Sequence, residues 1–161
     1  MIENKMKIDC SKWVKDGTMK TCPGDVVDNE VVYKSLLNVI SDYNFQSLAC
    51  NVKLESHDIL QGLSKNGVEW NPISMGYMGQ STPTAMWEEL CTGAKIEHFN
   101  NPVLAWQNSN CMVVRSKDMD MKVSRENGRT SGIIASVYAL AQWKTIEANP
   151  EPEFGIDTIQ L

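Results

Sequence analysis

The order of hydrophobic and polar positions in the first part of the chain predicts one helix followed by one strand. Apolar residues recur at helical spacing from Val31 to Ile40, and Asp28 precedes them where an N-cap belongs. This pattern predicts a helix that begins after Asp28 and ends near Asp42. The stretch 45–50 predicts a short strand buried on both faces. Residues 1–27 contain turn-forming glycine and proline without either period, so we expect an irregular linker segment there.

The middle of the chain repeats the alternation of helix and strand. Ser56 is expected to cap a second helix that continues to Lys65, where Asn66-Gly67 supplies a left-handed stop. The run over 68–74 predicts another strand, and Pro72 places that strand at an edge. A third helix is expected to open at Thr82-Pro83, because proline suits the first helical position, and to close at Gly93.

The last part of the chain predicts a short helix, a strand and a long apolar helix. Asn101-Pro102 opens the short helix, which is expected to run through Trp106, and the strand spans 111–115 before a polar loop. The long helix, roughly Thr130 to Glu147, is apolar on more than one side and is expected to pack deeply. Residues 149–161 form a C-terminal tail. Helix and strand in alternation predict an α/β fold whose strands are at least partly parallel.

Composition and charge exclude several classes of protein. The chain has 161 residues, 42% of them hydrophobic and 22% charged, which suits one globular domain. No apolar run approaches the ~20 residues of a membrane span, and the start has no signal-peptide pattern, so we expect a cytoplasmic protein without membrane partners. The five cysteines are odd in number and scattered, which indicates reduced thiols rather than a disulfide framework or zinc site. A net charge of −5 argues against tight autonomous binding of DNA.

Several short motifs together carry a family resemblance. In chain order they are Trp13 to Gly17, Pro23 to Asp28, Ser81 to Thr84 with Trp87 to Leu90, His98 with Asn101-Pro-Val-Leu-Ala-Trp-Gln-Asn-Ser-Asn110, and Gly132 to Leu140. These motifs resemble the C-terminal part of the nuclease domain of tailed-phage terminase large subunits, in the family's order and at nearly its spacing, from about Trp13 to Trp143. Each motif is weak alone, and their common order makes the resemblance strong.

The resemblance implies a partial ribonuclease-H-like sheet flanked by helices, with the nuclease-like domain at 28–148. Enzymes of this family use acidic residues to hold two Mg²⁺ or Mn²⁺ ions that activate water for DNA cleavage. The family's packaging ATPase is not expected here, because no Gly-x-x-x-x-Gly-Lys-Ser/Thr loop occurs in the sequence. Its first strand, which carries one metal-binding Asp, is also expected to be missing.

The remaining acid positions of the family are occupied by neutral residues. The alignment places one of these acids at Asn51, or at Val52 when counted from Gly67, and the other at Ser131. Neutral oxygens do not supply the charge that offsets the dehydration of a metal ion. We therefore expect an inactive nuclease with no catalytic residues, metal or other cofactor. If the chain does bind a metal ion, Glu55 and Asp58 are the second choice as its ligands. Asp58 is more typical of a first-turn acid that favours the helix N-terminus.

Five basic residues flank the polar loop that approaches DNA in the resembled family. They are Arg115, Lys117, Lys122, Arg125 and Arg129. A weak DNA contact is one interpretation. The other, which we favour, is a solvated hairpin loop whose charge is balanced by Asp118, Asp120 and Glu126. For His98 a hydrogen-bonding, positional role is at least as well supported as catalysis.

Three functions remain open on the sequence. The chain is a non-catalytic part of the phage packaging machine, a repurposed protein-binding module, or a weak Mg- or Mn-dependent endonuclease completed by a partner chain. The absence of the first strands would leave a sheet edge exposed. We therefore expect self-association, or another terminase or phage protein that completes the sheet.

Overall fold

The fold is described by a computed structural model for residues 9–51, 57–124, 126 and 129–148. Within these ranges it contains six helices and four strands, which we number along the chain. The helices are α1 (Ser11–Lys15), α2 (Asn29–Asp42), α3 (His57–Lys65), α4 (Tyr77–Thr92), α5 (Pro102–Ser109) and α6 (Ser131–Ala148). The strands are β1 (Leu48–Cys50), β2 (Trp70–Pro72), β3 (Val113–Arg115) and β4 (Met121–Val123).

Local capping chemistry explains several helix boundaries and confirms their predicted positions. The Asp28 side chain accepts a hydrogen bond of 2.8 Å from the Glu30 amide and so begins α2. Gly67, with a φ of +75°, takes the left-handed conformation just after α3. The Asn101 side chain accepts from the amides of Val103 and Leu104, each at 3.0 Å, at the start of α5. The predicted cap Ser56 lies outside the described residues.

Two predicted boundaries are wrong. The segment 1–27 is not irregular throughout, because α1 forms at Ser11–Lys15. The helix expected to open at Thr82-Pro83 begins at Tyr77 instead, and Pro83 lies inside it, buried. The Gln80 side-chain amide donates to the Met75 carbonyl at 2.8 Å across the additional turn, and the burial of Gln80, Pro83 and Thr84 adds packing to the local preference of proline.

The strands form two small sheets rather than one large one in the described part of the chain. β1 and β2 pair in parallel, with Leu48 opposite Trp70 and Cys50 opposite Pro72, as the alternation of elements predicted. β3 and β4 pair antiparallel as a hairpin, and β4 was not predicted as a strand. β1 is half-buried along its length, so the expectation of burial on both faces is wrong. The described strands establish a mixed helix and strand fold, and a ribonuclease-H-like sheet stays a prediction.

The core is centred on α6, as its apolar sequence predicted. Its buried side chains Ile133, Ile134, Val137 and Tyr138 form one cluster with Val123 of β4. Helices α4 and α5 and strand β1 pack against α6, whereas α2 packs on α3 and has no fully buried residue. None of the helices in the described ranges combines the length and apolar character needed to cross a bilayer.

Candidate functional site

Asn51, which the resemblance predicts at one of the family's acid positions, directly follows β1 at the carboxyl end of the parallel pair. Its side-chain amide Nδ2 donates a hydrogen bond of 3.0 Å to the carbonyl of Ile73, which follows β2. The Ile73 amide donates in turn to the Cys50 carbonyl at 2.7 Å. The Asn51 side chain therefore links the ends of β1 and β2 by a hydrogen bond. The alternative position Val52 and the second-choice ligand Glu55 lie outside the described residues.

Ser131, at the other predicted acid position, is the first residue of α6, and its side chain is exposed. The residues on either side of Ser131 anchor the helix start. Thr130 is buried, and its hydroxyl donates to the Ser124 carbonyl at 3.3 Å. The Gly132 amide donates a short hydrogen bond of 2.6 Å to Oε1 of Gln107, which α5 supplies. This arrangement holds the N-terminus of α6 against α5.

Gln107 and Thr130 are site residues that the sequence reasoning missed. The signal that could have identified Gln107 is Gly132, because glycine near the start of a helix often marks a close approach. A Cβ atom at Gly132 would lie 2.6 Å from Gln107 Oε1 and 3.3 Å from Leu104 Cδ1. The close contact of α5 with α6 is therefore favoured by the absence of a side chain at Gly132.

The two acid positions belong to elements that pack on each other, since β1 lies against α6 and Ala49 contacts the core cluster. Their described surroundings do not fit a pair of divalent metal ions. Asn51 presents an amide donor to a carbonyl, and Ser131 offers a neutral hydroxyl at a helix N-terminus, where the helix dipole disfavours cations. No three His, Cys, Asp or Glu side chains come together as a metal-ligand set in the described ranges.

Asp58, the other second-choice ligand, lies in the first turn of α3 and is exposed. It lines a groove of about 240 Å³ between α3 and α2, together with Glu30 and Tyr33. Its first-turn position matches the helix-terminus interpretation. Asp58 therefore lies beside α2 and not at the ends of β1 and β2, where Asn51 lies.

The five basic residues do not form one continuous described surface. Arg115 makes an ion pair of 3.2 Å with Glu88 of α4, with both side chains about half exposed. The Lys122 ammonium lies 4.8 Å from the centre of the Tyr77 ring. The β3–β4 register pairs Arg115 with Met121 and Val114 with Lys122, so Arg115 and Lys122 point to opposite faces of the hairpin. Both basic side chains thus have partners within the chain.

The other basic and acidic residues of this region occupy exposed positions. Lys117 lies in the β3–β4 turn and Arg129 precedes α6, whereas Arg125 lies outside the described residues. Asp118 and Asp120 are exposed at the hairpin tip, where their amides donate to the Ser116 hydroxyl at 3.2 and 3.1 Å. A solvated hairpin loop is therefore the arrangement observed for these two acids.

His98 lies in the loop between α4 and α5, at the side of a groove of about 410 Å³. Trp87 and Asn108 also line this groove, and the Trp87 indole N–H donates to Asn108 Oδ1 at 3.4 Å. The His98 carbonyl accepts from the Asn101 amide at 2.9 Å, next to the cap of α5. The backbone of His98 thus has a positional role, and its imidazole is exposed.

The chain is similar in sequence and in fold to a phage protein. No protein-family model matches it. It is 26% identical over 150 residues to the large subunit of the terminase of Enterobacteria phage HK97, and this match covers 86% of the chain and 29% of that relative. The crystal structure of the HK97 bacteriophage large terminase shares the fold, with a TM-score of 0.78 and 20% identity over 87% of this chain. The chain spans about three tenths of the length of both proteins, and it is homologous to that part of a phage large terminase.

Proposed function

We propose that the chain is a nuclease-like unit of a phage terminase large subunit, linked to DNA packaging in the cytoplasm of the bacterial host and without nuclease activity of its own. The observation that carries this proposal is the hydrogen bond from Asn51 Nδ2 to the Ile73 carbonyl. A carboxylate has no proton to donate at neutral pH, so an acid at this position would face that carbonyl without a bond. Asparagine suits a structural role here and an acid does not.

The electrostatics of the second position support the same conclusion. Two Mg²⁺ or Mn²⁺ ions require several negatively charged oxygens to offset their dehydration. Asn51 and Ser131 contribute no charge, and the Gly132 amide next to Ser131 already bonds Gln107. We therefore expect the chain alone to bind no catalytic metal ion and no other cofactor.

The test is a plasmid-nicking assay with Mn²⁺ and an EDTA control. It compares the unmodified chain with the Asn51→Asp/Ser131→Asp variant, which restores acids at both positions. A matched control, Asn44→Asp/Ser41→Asp, makes the same two kinds of substitution at exposed residues near the end of α2. Thermal unfolding with and without Mn²⁺ accompanies each assay and reports metal binding separately from catalysis.

We expect no nicking by the unmodified chain. Asn51→Asp should lower the free energy of unfolding by about 1–3 kcal/mol, because the Ile73 carbonyl loses its side-chain donor. If the arrangement of the ancestral site survives, Mn²⁺ should restore stability to the acid variant and leave the matched control unchanged. Nicking by the unmodified chain that EDTA abolishes would overturn the proposal and direct attention to Glu55, Asp58 and acids supplied by a partner chain.

A repurposed protein-binding module is the second candidate, and one surface favours it. Apolar side chains before and along α2 are strongly exposed: Val26 by 80%, Val27 by 65%, Val39 by 52% and Tyr43 by 72%. Exposed apolar side chains of this kind are what a binding surface would use, if a partner covers them. The partner would be another terminase or phage protein. Loss of such binding after Val27→Ser and Val39→Ser, with thermal stability kept, would support this candidate.

A further inference from the structure

The buried face of α4 contains two polar atoms that lack a hydrogen-bond partner. Gln80 is 2% exposed and Thr84 is 0% exposed. The orientation of the Gln80 amide is fixed, because its Nε2 atom donates to the Met75 carbonyl at 2.8 Å. Its Oε1 atom and the Thr84 hydroxyl have no partner within residues 9–51, 57–124, 126 and 129–148. Buried polar atoms are almost always hydrogen-bonded, so these two require a bonding group.

The two atoms are complementary to a small bridging group. Gln80 and Thr84 lie one helical turn apart on the same side of α4, where Cβ atoms are about 5–6 Å from each other. Gln80 Oε1 can only accept a hydrogen bond, whereas the Thr84 hydroxyl can both donate and accept. The two side chains do not bond each other directly. Two consecutive O–H···O bonds of about 2.8 Å would span such a separation.

Pro83 leaves a third acceptor close to the same face of the helix. It lies inside α4 and is buried, as are Gln80 and Thr84. Because proline has no N–H, it cannot donate to the Gly79 carbonyl, which would be its acceptor four residues earlier. Water molecules insert into helices at interruptions of this kind.

We propose that α4 binds one internal water molecule between Gln80 and Thr84. The water donates its two hydrogens to Gln80 Oε1 and to the Gly79 carbonyl, and it accepts the hydroxyl proton of Thr84. Three hydrogen bonds are the usual number for a buried water. A water fits better than a cation, because these neutral oxygens do not offset the cost of burying a charge. This inference goes beyond the proposed function and does not depend on the state of the nuclease site.

The site lies beside the turn of α4 that attaches the β3–β4 hairpin. In this turn the Ser81 hydroxyl accepts from the Met121 amide at 3.1 Å, and the Tyr77 ring contacts the Lys122 ammonium. Pro83 interrupts the helical hydrogen bonds that follow the turn. The water therefore supplies a link between the turn that holds the hairpin and the rest of α4.

The first test compares two threonines of α4 by chemical unfolding. Thr84→Val replaces the buried hydroxyl by a methyl group of similar volume, and Thr82→Val makes the same change at an exposed position. We expect Thr84→Val to lower the folding equilibrium constant at least about tenfold, because Gln80 Oε1 loses its bridging partner. Thr82→Val should change this constant by less than about twofold. A neutral or stabilising Thr84→Val is the result expected of a hydroxyl without a partner, and it would overturn the proposal.

The second test counts long-lived internal waters by magnetic relaxation dispersion of the water nuclei. Thr84→Val should contain one fewer such water than the parent chain, and Thr82→Val should contain the same number. If Thr84→Val does not fold, Gln80→Leu replaces it and should lose the water, whereas Thr84→Ser keeps the hydroxyl and should retain it.

Two results of these measurements contradict the water site. An unchanged number of waters in Thr84→Val or Gln80→Leu would show that the buried atoms have partners within the chain. A stability that differs between K⁺, Na⁺ and choline at equal ionic strength would show that the occupant is a cation. Neither result alters the outcome of the nicking assay, so failure of this site is distinguishable from failure of the proposed function.

Discussion

Trp13 and Trp106 contact each other in a tilted arrangement across 93 positions of sequence, with ring centroids 5.7 Å apart and an angle of 52° between the ring planes. Trp13 belongs to α1 and Trp106 to α5, so this contact attaches the N-terminal segment to the helix that anchors α6. Two further bonds order the turn after α1, where the Met19 amide and the Thr18 hydroxyl donate to the Trp13 carbonyl at 3.0 and 3.1 Å. The described part of the segment therefore docks on the domain.

We predict that Trp13→Ala destabilises the whole domain. The aromatic pair and the apolar contact of the indole are lost, which should cost about 1–3 kcal/mol in the free energy of unfolding. The neighbouring variant Val14→Ala is the control, because Val14 is exposed and should change stability by no more than about 0.5 kcal/mol. Urea unfolding monitored by circular dichroism measures both. Equal stability of the two variants would show that α1 is energetically separate from the rest.

The Gly132–Gln107 contact gives a second prediction. Alanine is the better helix former by about 1 kcal/mol, yet Gly132→Ala should not stabilise the protein, because its Cβ atom would displace Gln107 Oε1 from its bond to the Gly132 amide. Gln107→Ala removes that obstacle and also the bond to the Gly132 amide. Gln107→Ala should therefore cost at least about 0.5 kcal/mol less in the Gly132→Ala background than it costs in the parent chain. Chemical unfolding of the four proteins measures the coupling, and strictly additive costs would contradict the contact.

Gly79 allows the first turn of α4 to approach the preceding loop. A Cβ atom there would collide with the backbone carbonyl of Ser74, which cannot move away as a flexible side chain can. Gly79→Ala should therefore lower stability by about 1–3 kcal/mol. Gly76→Ser is the matched control, since its Cβ atom has ordinary space and serine is a favourable N-cap. Thermal unfolding should separate the two, and a neutral Gly79→Ala would refute the tight approach.

Three thiols predict a dependence of stability on pH. Burial raises the pKa of Cys50, Cys91 and Cys111 above the ordinary value of 9.0, and proximity to Cys91 raises the pKa of Cys111 further. The folded protein thus holds these groups protonated at a pH at which the unfolded chain begins to ionise them. Their contribution to stability is fully present below pH 9.0 and is lost as the pH rises through the raised values.

Thermal unfolding from neutral to alkaline pH measures this loss. Other groups titrate in the same range, so the informative quantity is the change in slope caused by Cys91→Ala and Cys111→Ala. Each variant should lose less stability between neutral and alkaline pH than the parent chain does. Slopes identical to that of the parent would show that these thiols titrate alike in the folded and unfolded states.

Part of the candidate site could be predicted from the sequence. The motifs led to a phage large terminase, and the homology to the HK97 protein confirms this resemblance. That Asn51 and Ser131 occupy acid positions of the resembled family stays a prediction, and so does the consequence drawn for nuclease activity. The bond from Asn51 to Ile73 could not be predicted, because it depends on the parallel pairing of two strands that are 20 residues apart.

Local chemistry determined the elements whose signals lie within a few residues. Asp28, Gly67 and Asn101 act through their own backbone neighbourhood, so the caps and stops of α2, α3 and α5 follow from the sequence alone. The apolar surface of α6 likewise determined its central position. Only the tertiary structure decided where Pro83 lies, because the helix begins at Tyr77 and buries Pro83 in its interior, which no local signal indicates. It also decided that β1 and β2 pair in parallel with Leu48 opposite Trp70, since hydrogen-bond direction depends on the partner and register of a strand.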